Sequence, residues 1–168
     1  MNIIFMGTPA FAVPSLRILL NSHHKISAVV TVPDKPKGRG QHLAGSEVKN
    51  FAIEAGMNIL QPLSLKDPDF INELKELAPD LIVVVAFRIL PKNIFKIPRF
   101  GSINLHASLL PKYRGAAPIN WAVINGERET GVTTFFLQEK VDTGNIIMQK
   151  SIDISGDDNA GTVHDKLM

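Results

Sequence analysis

Apolar positions along this chain come in two rhythms. Short unbroken runs sit at Ile3-Ile4-Phe5-Met6, at residues 26–32 and at Leu81-Ile82-Val83-Val84-Val85-Ala86. Runs of this length, rich in β-branched residues, read as strands covered on both faces of a parallel sheet. Elsewhere apolar residues recur at three- and four-residue spacing. Phe11, Val13, Leu16 and Leu19-Leu20 form such a stripe, on a helix that Thr8 can cap with Pro9 in its first turn. Val48, Phe51 and Ala52 mark a helix over residues 46–55, and residues 68–77 form another. A strand is expected at 57–60, a helical turn from Leu90-Pro91 to Phe95, a strand at 101–105 and a helix at 117–124 closed by Asn125-Gly126. Residues 131–137 and 145–152 pair as strands around Asp142-Thr143-Gly144, and residues 33–43 read as a loop. Residues 159–168 open like an amphipathic helix capped by Asp157 or Asp158, with no C-cap after them. The expectation is one domain over 1–168 that lacks its natural C-terminal partner segment.

Strands alternating with helices predict an α/β fold: a Rossmann-like, mostly parallel sheet with helices on both faces. Ligands on such sheets gather at the carboxyl ends of the strands. Here those ends are Gly7-Thr8-Pro9, residues 87–91 and residues 104–111.

Composition narrows the picture mainly by exclusion. The 168 residues are 45% hydrophobic and 20% charged, an ordinary globular balance. A net charge of +2 is too weak to argue for nucleic acid by itself. The absence of cysteine excludes disulfides, thiolate nucleophiles and Cys-based zinc sites. The start carries no basic n-region and no long apolar stretch, so no signal peptide is read. The longest apolar run, residues 81–87, is too short to span a bilayer. A cytoplasmic protein without membrane association is expected.

Candidate chemistry concentrates between residues 104 and 144. Asn104 and His106 are two apart, and on a strand such residues share a face. A lone histidine near a strand end is more often structural. Its pairing with Asn104 and the Ser108-Leu109-Leu110-Pro111 turn that follows weigh against that reading. Asp142-Thr143-Gly144 is by itself an ordinary turn sequence. An aspartic protease is rejected, since there is one copy and the wrong fold. A serine hydrolase would need a Gly-x-Ser-x-Gly elbow, which is missing. Gly7-Thr8-Pro9 lacks the glycines of a dinucleotide loop, and no Gly-Lys-Ser/Thr pair exists, so neither NAD nor ATP is favoured. His23-His24 reads as solvated surface rather than a metal site. In the loop of residues 33–43, Lys35, Lys37 and Arg39 outnumber Asp34. Gly38 and Gly40 let Arg39 approach a phosphate closely.

Several stretches together resemble the folate-dependent formyltransferases: Gly7-Thr8-Pro9-Ala10-Phe11-Ala12-Val13, residues 33–43, Gln61-Pro62, Val84-Val85-Ala86-Phe87, and the Asn-x-His, Ser-Leu-Leu-Pro and Asp pattern of residues 104–144. The basic loop at residues 37–41 and Arg114-Gly115-Ala116-Ala117-Pro118-Ile119 are similar to the tRNA-acting branch. Over essentially its whole length the chain looks like the N-terminal catalytic domain of the methionyl-tRNA formyltransferases. That resemblance implies a catalytic trio of Asn104, His106 and Asp142. It also implies that Ser108, Leu109, Leu110 and Pro111 line a tetrahydrofolate site, with the backbone of Phe87, Arg88, Ile89 and Leu90 holding the pterin. Lys35, Lys37 and above all Arg39 would meet the tRNA acceptor end. The implied reaction moves a formyl group from N10-formyltetrahydrofolate to initiator methionyl-tRNA, without a metal and in a monomer. A C-terminal OB-like barrel that helps to bind tRNA is expected outside this chain. A nucleotide-sugar formyltransferase and a non-enzymatic folate- or RNA-binding module are the rival readings, separated by acceptor use and by turnover.

Overall fold

The structure, a computed structural model, describes residues 1–37 and 42–168. In chain order its elements are β1 (Asn2–Gly7), a 3-10 turn (Ala10–Ala12), α1 (Val13–Leu20), β2 (Lys25–Val30), β3 (Lys35–Lys37), β4 (His42–Ala44), α2 (Glu47–Glu54) and β5 (Ile59–Leu60). Then come α3 (Pro68–Glu76), β6 (Leu81–Val85), α4 (Lys92–Phe95), β7 (Ser102–His106), α5 (Pro118–Ile124), β8 (Glu129–Phe136), β9 (Ile146–Asp153) and α6 (Ala160–Leu167). The chain divides into two compact units, Met1–Ser102 and Ile103–Met168.

The first unit is the Rossmann-like part. β5, β2, β1 and β6 lie side by side in that order, all parallel. Ile3, Ile4, Phe5, Met6, Val29, Val30 and Ile82 are buried, so unbroken apolar runs rather than alternation suit these strands. Gly7 ends β1 where a Cβ would lie 2.9 Å from the Ala12 methyl, which lets the chain turn tightly into the 3-10 segment. Thr8 does not cap this entry. Pro9 and Ala12 precede the 3-10 turn and α1, neither start has a side-chain cap, and Pro14 occupies the first turn of α1. Ser46 does cap α2, accepting from the Lys49 amide at 3.0 Å.

Residues 33–43, expected to be a loop, contain β3 and β4 paired antiparallel, with Lys35 opposite Ala44. The physical reason precedes the strands. Asp34 accepts from Lys49 Nζ at 2.7 and 2.6 Å and from Gln61 Nε2 at 2.9 Å, which fixes where the ribbon leaves the sheet. Residues 57–60 yield only the two strand residues of β5.

The second unit is antiparallel, β7 beside β8 and β8 beside β9. His106 faces Thr133, and Thr133 faces Gln149. Phe135, Ile119, Ala122 and Val163 are buried in this unit. The last helix, α6, is capped by Asn159, which accepts from the Gly161 and Thr162 amides while its own amide donates to the Thr162 hydroxyl. The expected caps, Asp157 and Asp158, do not act there. Asp158 instead accepts from Ser155, Thr162 and Lys166 and staples the helix from outside. Among the described residues no helix is long and apolar enough to cross a membrane.

Candidate active site

His106 ends β7 and is buried, with its side chain 9% exposed. Asn104 lies half-buried on the same face of the strand two residues earlier. His106 Nε2 lies 2.8 Å from the Tyr113 carbonyl oxygen. A carbonyl only accepts, so Nε2 carries a proton and donates it. On the other side of the ring, Nδ1 lies 3.7 Å from Asp142 Oδ2. Both ring nitrogens therefore face oxygen atoms, the Tyr113 carbonyl on one side and the Asp142 carboxylate on the other.

Asp142 is itself held from several directions. Its backbone has φ 51, a left-handed conformation that aspartate tolerates better than most residues. Its Oδ2 accepts from the Gly115 amide at 2.8 Å, and its carbonyl accepts from Arg114 Nε at 2.8 Å. Thr143 donates from its hydroxyl to the Lys140 carbonyl at 2.9 Å. The glycine of Asp-Thr-Gly has a steric cause. A Cβ at Gly144 would collide with the Phe136 carbonyl, so no other residue lets the turn close against β8.

The turn of residues 108–112 is clamped from β8 and β9. Ser108 is fully buried and donates its hydroxyl to the Lys112 carbonyl at 2.6 Å. Thr133 donates to the Ser108 carbonyl at 2.6 Å and accepts from the Leu110 amide at 3.1 Å. Gln149 donates to both the Leu110 carbonyl and the Thr133 hydroxyl at 2.9 Å. Leu110-Pro111 is a cis peptide. Of the four residues expected to line a ligand, Ser108 and Leu110 point into the protein, Leu109 is half-buried and Pro111 is exposed. Thr133 and Gln149, which shape this turn, were not expected from the sequence. Their only signal is alternation, since each occupies a polar position on the face of its strand that meets the turn.

In the first unit, Phe87, Arg88, Ile89 and Leu90 follow β6. Arg88 donates to the Leu63 carbonyl at 3.2 Å and to the Pro62 carbonyl at 3.0 Å, and it stacks 5.2 Å from the Phe87 ring centroid. Leu90 is buried, whereas Ile89 and Leu63 are 76% and 87% exposed. Lys35 is exposed at the start of β3. Arg39 lies outside the described residues, as does the side chain of Lys37. Among the described residues no group of three or more His, Cys, Asp or Glu is arranged to hold a metal ion.

Comparison with known proteins adds the following. A family model described as formyl transferase matches residues 1–168. The methionyl-tRNA formyltransferase of Caldanaerobacter subterraneus subsp. tengcongensis is 56% identical over 169 residues, covering 99% of this chain and 55% of the relative. The phosphoribosylglycinamide formyltransferase structure from Bacillus halodurans shares the fold, with TM-score 0.81 at 20% identity over 99% of this chain and 87% of that one. WlaRD, a sugar 3N-formyl transferase solved in the presence of dTDP and 5-N-formyl-THF, gives TM-score 0.71 at 25% identity over 99% of this chain and 57% of its own. The chain spans about half the length of the curated relatives it matches, 55% and 52% for two of them.

Proposed function

The chain belongs to the formyl transferase family, and on that premise we propose that it is the catalytic portion of an enzyme that formylates initiator methionyl-tRNA from N10-formyltetrahydrofolate. The observation that carries this reading is the His106–Asp142 pair at 3.7 Å, with the far side of the ring donating from Nε2 to the Tyr113 carbonyl at 2.8 Å. The acceptor is favoured by relatives above 50% identity that are named methionyl-tRNA formyltransferase. The donor is favoured by the related sugar formyl transferase solved with 5-N-formyl-THF.

The nucleophile is the α-amine of the methionyl group. Such an amine has a pKa of about 7.7–8, so a useful fraction is neutral near pH 7 and attack needs no strong base. Attack on the formyl carbon forms the C–N bond and places negative charge on oxygen. The Asn104 amide and Nδ1 of a protonated His106 ring, its Nε2 being held by the Tyr113 carbonyl, are the two donors for that oxyanion, and preorganised donors of this kind are the largest contributors to many such reactions. Asp142 balances the charge on His106 and sets the ring's orientation. The proton lost by the amine passes to Asp142 or water, and N10 of the folate leaves with a proton, so the formyl group ends on the amine and tetrahydrofolate is released. The exposed Ile89 offers apolar surface for a flat pterin ring. Lys35, Lys37 and Arg39 supply cations for the acceptor-stem phosphates. The protein acts as a cytoplasmic monomer.

The deciding experiment is formyl transfer from N10-formyltetrahydrofolate, with initiator methionyl-tRNA, elongator methionyl-tRNA and an amino sugar nucleotide as competing acceptors. Transfer that favours the initiator tRNA is the expected result. Transfer to the sugar amine alone would overturn the acceptor assignment. Donor binding with no transfer to any acceptor, in the chain extended to the relatives' full length, would overturn the enzymatic one.

A further inference from the structure

We propose that Glu127 and the hydroxyl of Tyr113 are positioning residues for the His106–Asp142 pair, an assignment that rests on the formyl-transfer reading above. The argument starts from the short segment of residues 113–115, which touches both members of the pair through three hydrogen bonds. The Tyr113 carbonyl accepts from His106 Nε2 at 2.8 Å. The Gly115 amide donates to the Asp142 carboxylate at 2.8 Å, and Arg114 Nε donates to the Asp142 carbonyl at 2.8 Å. The segment is a bracket, and the ring and the carboxylate keep their places only while it does.

The bracket is not in a relaxed conformation. Tyr113 has φ 54, Gly115 φ 85 and Ala117 φ 52. Glycine adopts such values freely, but tyrosine does so only when its surroundings hold it there. The hold on Tyr113 is at its far end. Its hydroxyl donates to Glu127 Oε1 at 2.7 Å and accepts from Asn125 Nδ2 at 3.0 Å. Glu127 is fixed in turn, because its amide donates to the Ala122 carbonyl at 3.0 Å, just past the Gly126 turn that closes α5. Its side chain is 25% exposed. Tyr113 thus works as a rigid strut. One end is tied to the stop of α5 and the other presents a carbonyl to the histidine.

Lys112 also reaches Glu127, donating to both carboxylate oxygens at 3.0 Å, but its side chain is 63% exposed. Exposed ion pairs of that kind hold little. The hydroxyl–carboxylate bond is charge-assisted and partly buried, so it is the stronger tie. Release of the hydroxyl lets Tyr113 relax toward negative φ, which carries its carbonyl away from Nε2.

Tyr113→Phe, Glu127→Ala, Glu127→Gln and Lys112→Ala separate these roles. Two readouts are taken: nitrogen NMR of the imidazoles, with the His106 signal identified through His106→Gln, and kcat and KM for formyl transfer. In the unaltered protein the neutral His106 ring should hold its proton on Nε2. Tyr113→Phe and Glu127→Ala should mix the two tautomers and lower kcat roughly tenfold, as misplacement of a catalytic group does, with KM for both substrates within about twofold. Glu127→Gln keeps an acceptor for the hydroxyl and should recover most of the loss, and Lys112→Ala should be silent. If either Tyr113→Phe or Glu127→Ala fails to fold, the other carries the test. An unchanged His106 signal in the variants that fold overturns the proposal. So does a loss that Lys112→Ala reproduces and Tyr113→Phe does not, because the contact is then a surface ion pair. The NMR readout needs no substrate. A ring that responds in a protein with no formyl transfer would sink the catalytic reading and leave the strut standing.

Discussion

Around the His106 ring and the Asp142 carboxylate it is backbone that grips side chains, whereas at residues 61–63 and 87–90 side chains grip the backbone. In the first set the Tyr113 carbonyl and the Gly115 amide hold His106 and the Asp142 carboxylate. In the second, Arg88 spends its guanidinium on the Leu63 and Pro62 carbonyls, and Gln61 donates to the Val32 carbonyl at 2.8 Å. In the proposed reading, the difference marks what each set is for. Chemistry at a carbonyl carbon needs polar side chains in fixed positions, so the main chain is committed to holding them. Recognition of a flat ring needs a stable backbone contour and apolar surface, so there the polar side chains brace the turns, leaving Ile89 and Leu63 exposed.

The largest test of this contrast is to remove the gripped side chains. His106→Ala and Asp142→Ala should each lower turnover by about two orders of magnitude or more, as the loss of an oxyanion or acid–base group does. KM for both substrates should change little. Steady-state kinetics with initiator methionyl-tRNA check this, and near-normal turnover in either variant would remove the distinction between the two sets of turns.

A smaller and differently shaped effect is expected from Arg88→Ala. The guanidinium braces a contour and performs no chemistry in this reading, so kcat should hold while KM for the folate donor rises. One charge-assisted hydrogen bond contributes about 1.5 kcal/mol, which corresponds to about tenfold in KM. A fall in kcat with KM unchanged would mean that Arg88 acts on the reacting atoms, and the contrast would be wrong in its second half.

How far these parts were legible in the sequence follows the range of the interactions. The parallel strands were readable because burial on both faces demands an unbroken apolar run, and Leu81–Val85 is one. His106 stood out because Asn104 shares its face through a local two-residue period. The residues that hold the pair were not readable. Tyr113 meets Glu127 fourteen positions away, and Gln149 meets Leu110 thirty-nine positions away. No local pattern reports such contacts. The ribbon of β3 and β4 was missed for a related reason. Lysine and proline are poor strand residues, and the tie from Asp34 to Lys49 and Gln61 that anchors its start is tertiary. The cap of α6 was expected at Asp157 or Asp158 and is Asn159. Asp158 and Asn159 are both good N-caps, and what separates them is the reciprocal bond between Asn159 and Thr162.

The smallest expected effect concerns that same tie at Asp34. The Lys49 ammonium first, and the Gln61 amide second, hold the Asp34 carboxyl below the usual carboxylate range. A carboxyl lowered on folding adds stability that is fully present above its unfolded value of about 3.9. That contribution drains away as pH falls from there through the folded value. Asp34→Asn should therefore be slightly less stable than the unaltered chain at neutral pH, and the two should converge below about pH 4. The shift is modest because the Asp34 side chain is 32% exposed and water screens the pair. Urea midpoints measured from neutral pH into acid decide it. A gap that persists in acid would show that Asp34 holds the ribbon by hydrogen-bond geometry alone and not by charge. The turns around Gln61 would then be braced by neutral groups. A gap that closes ties their hold to an ionised carboxylate, which Lys49 and Gln61 reach through their side chains.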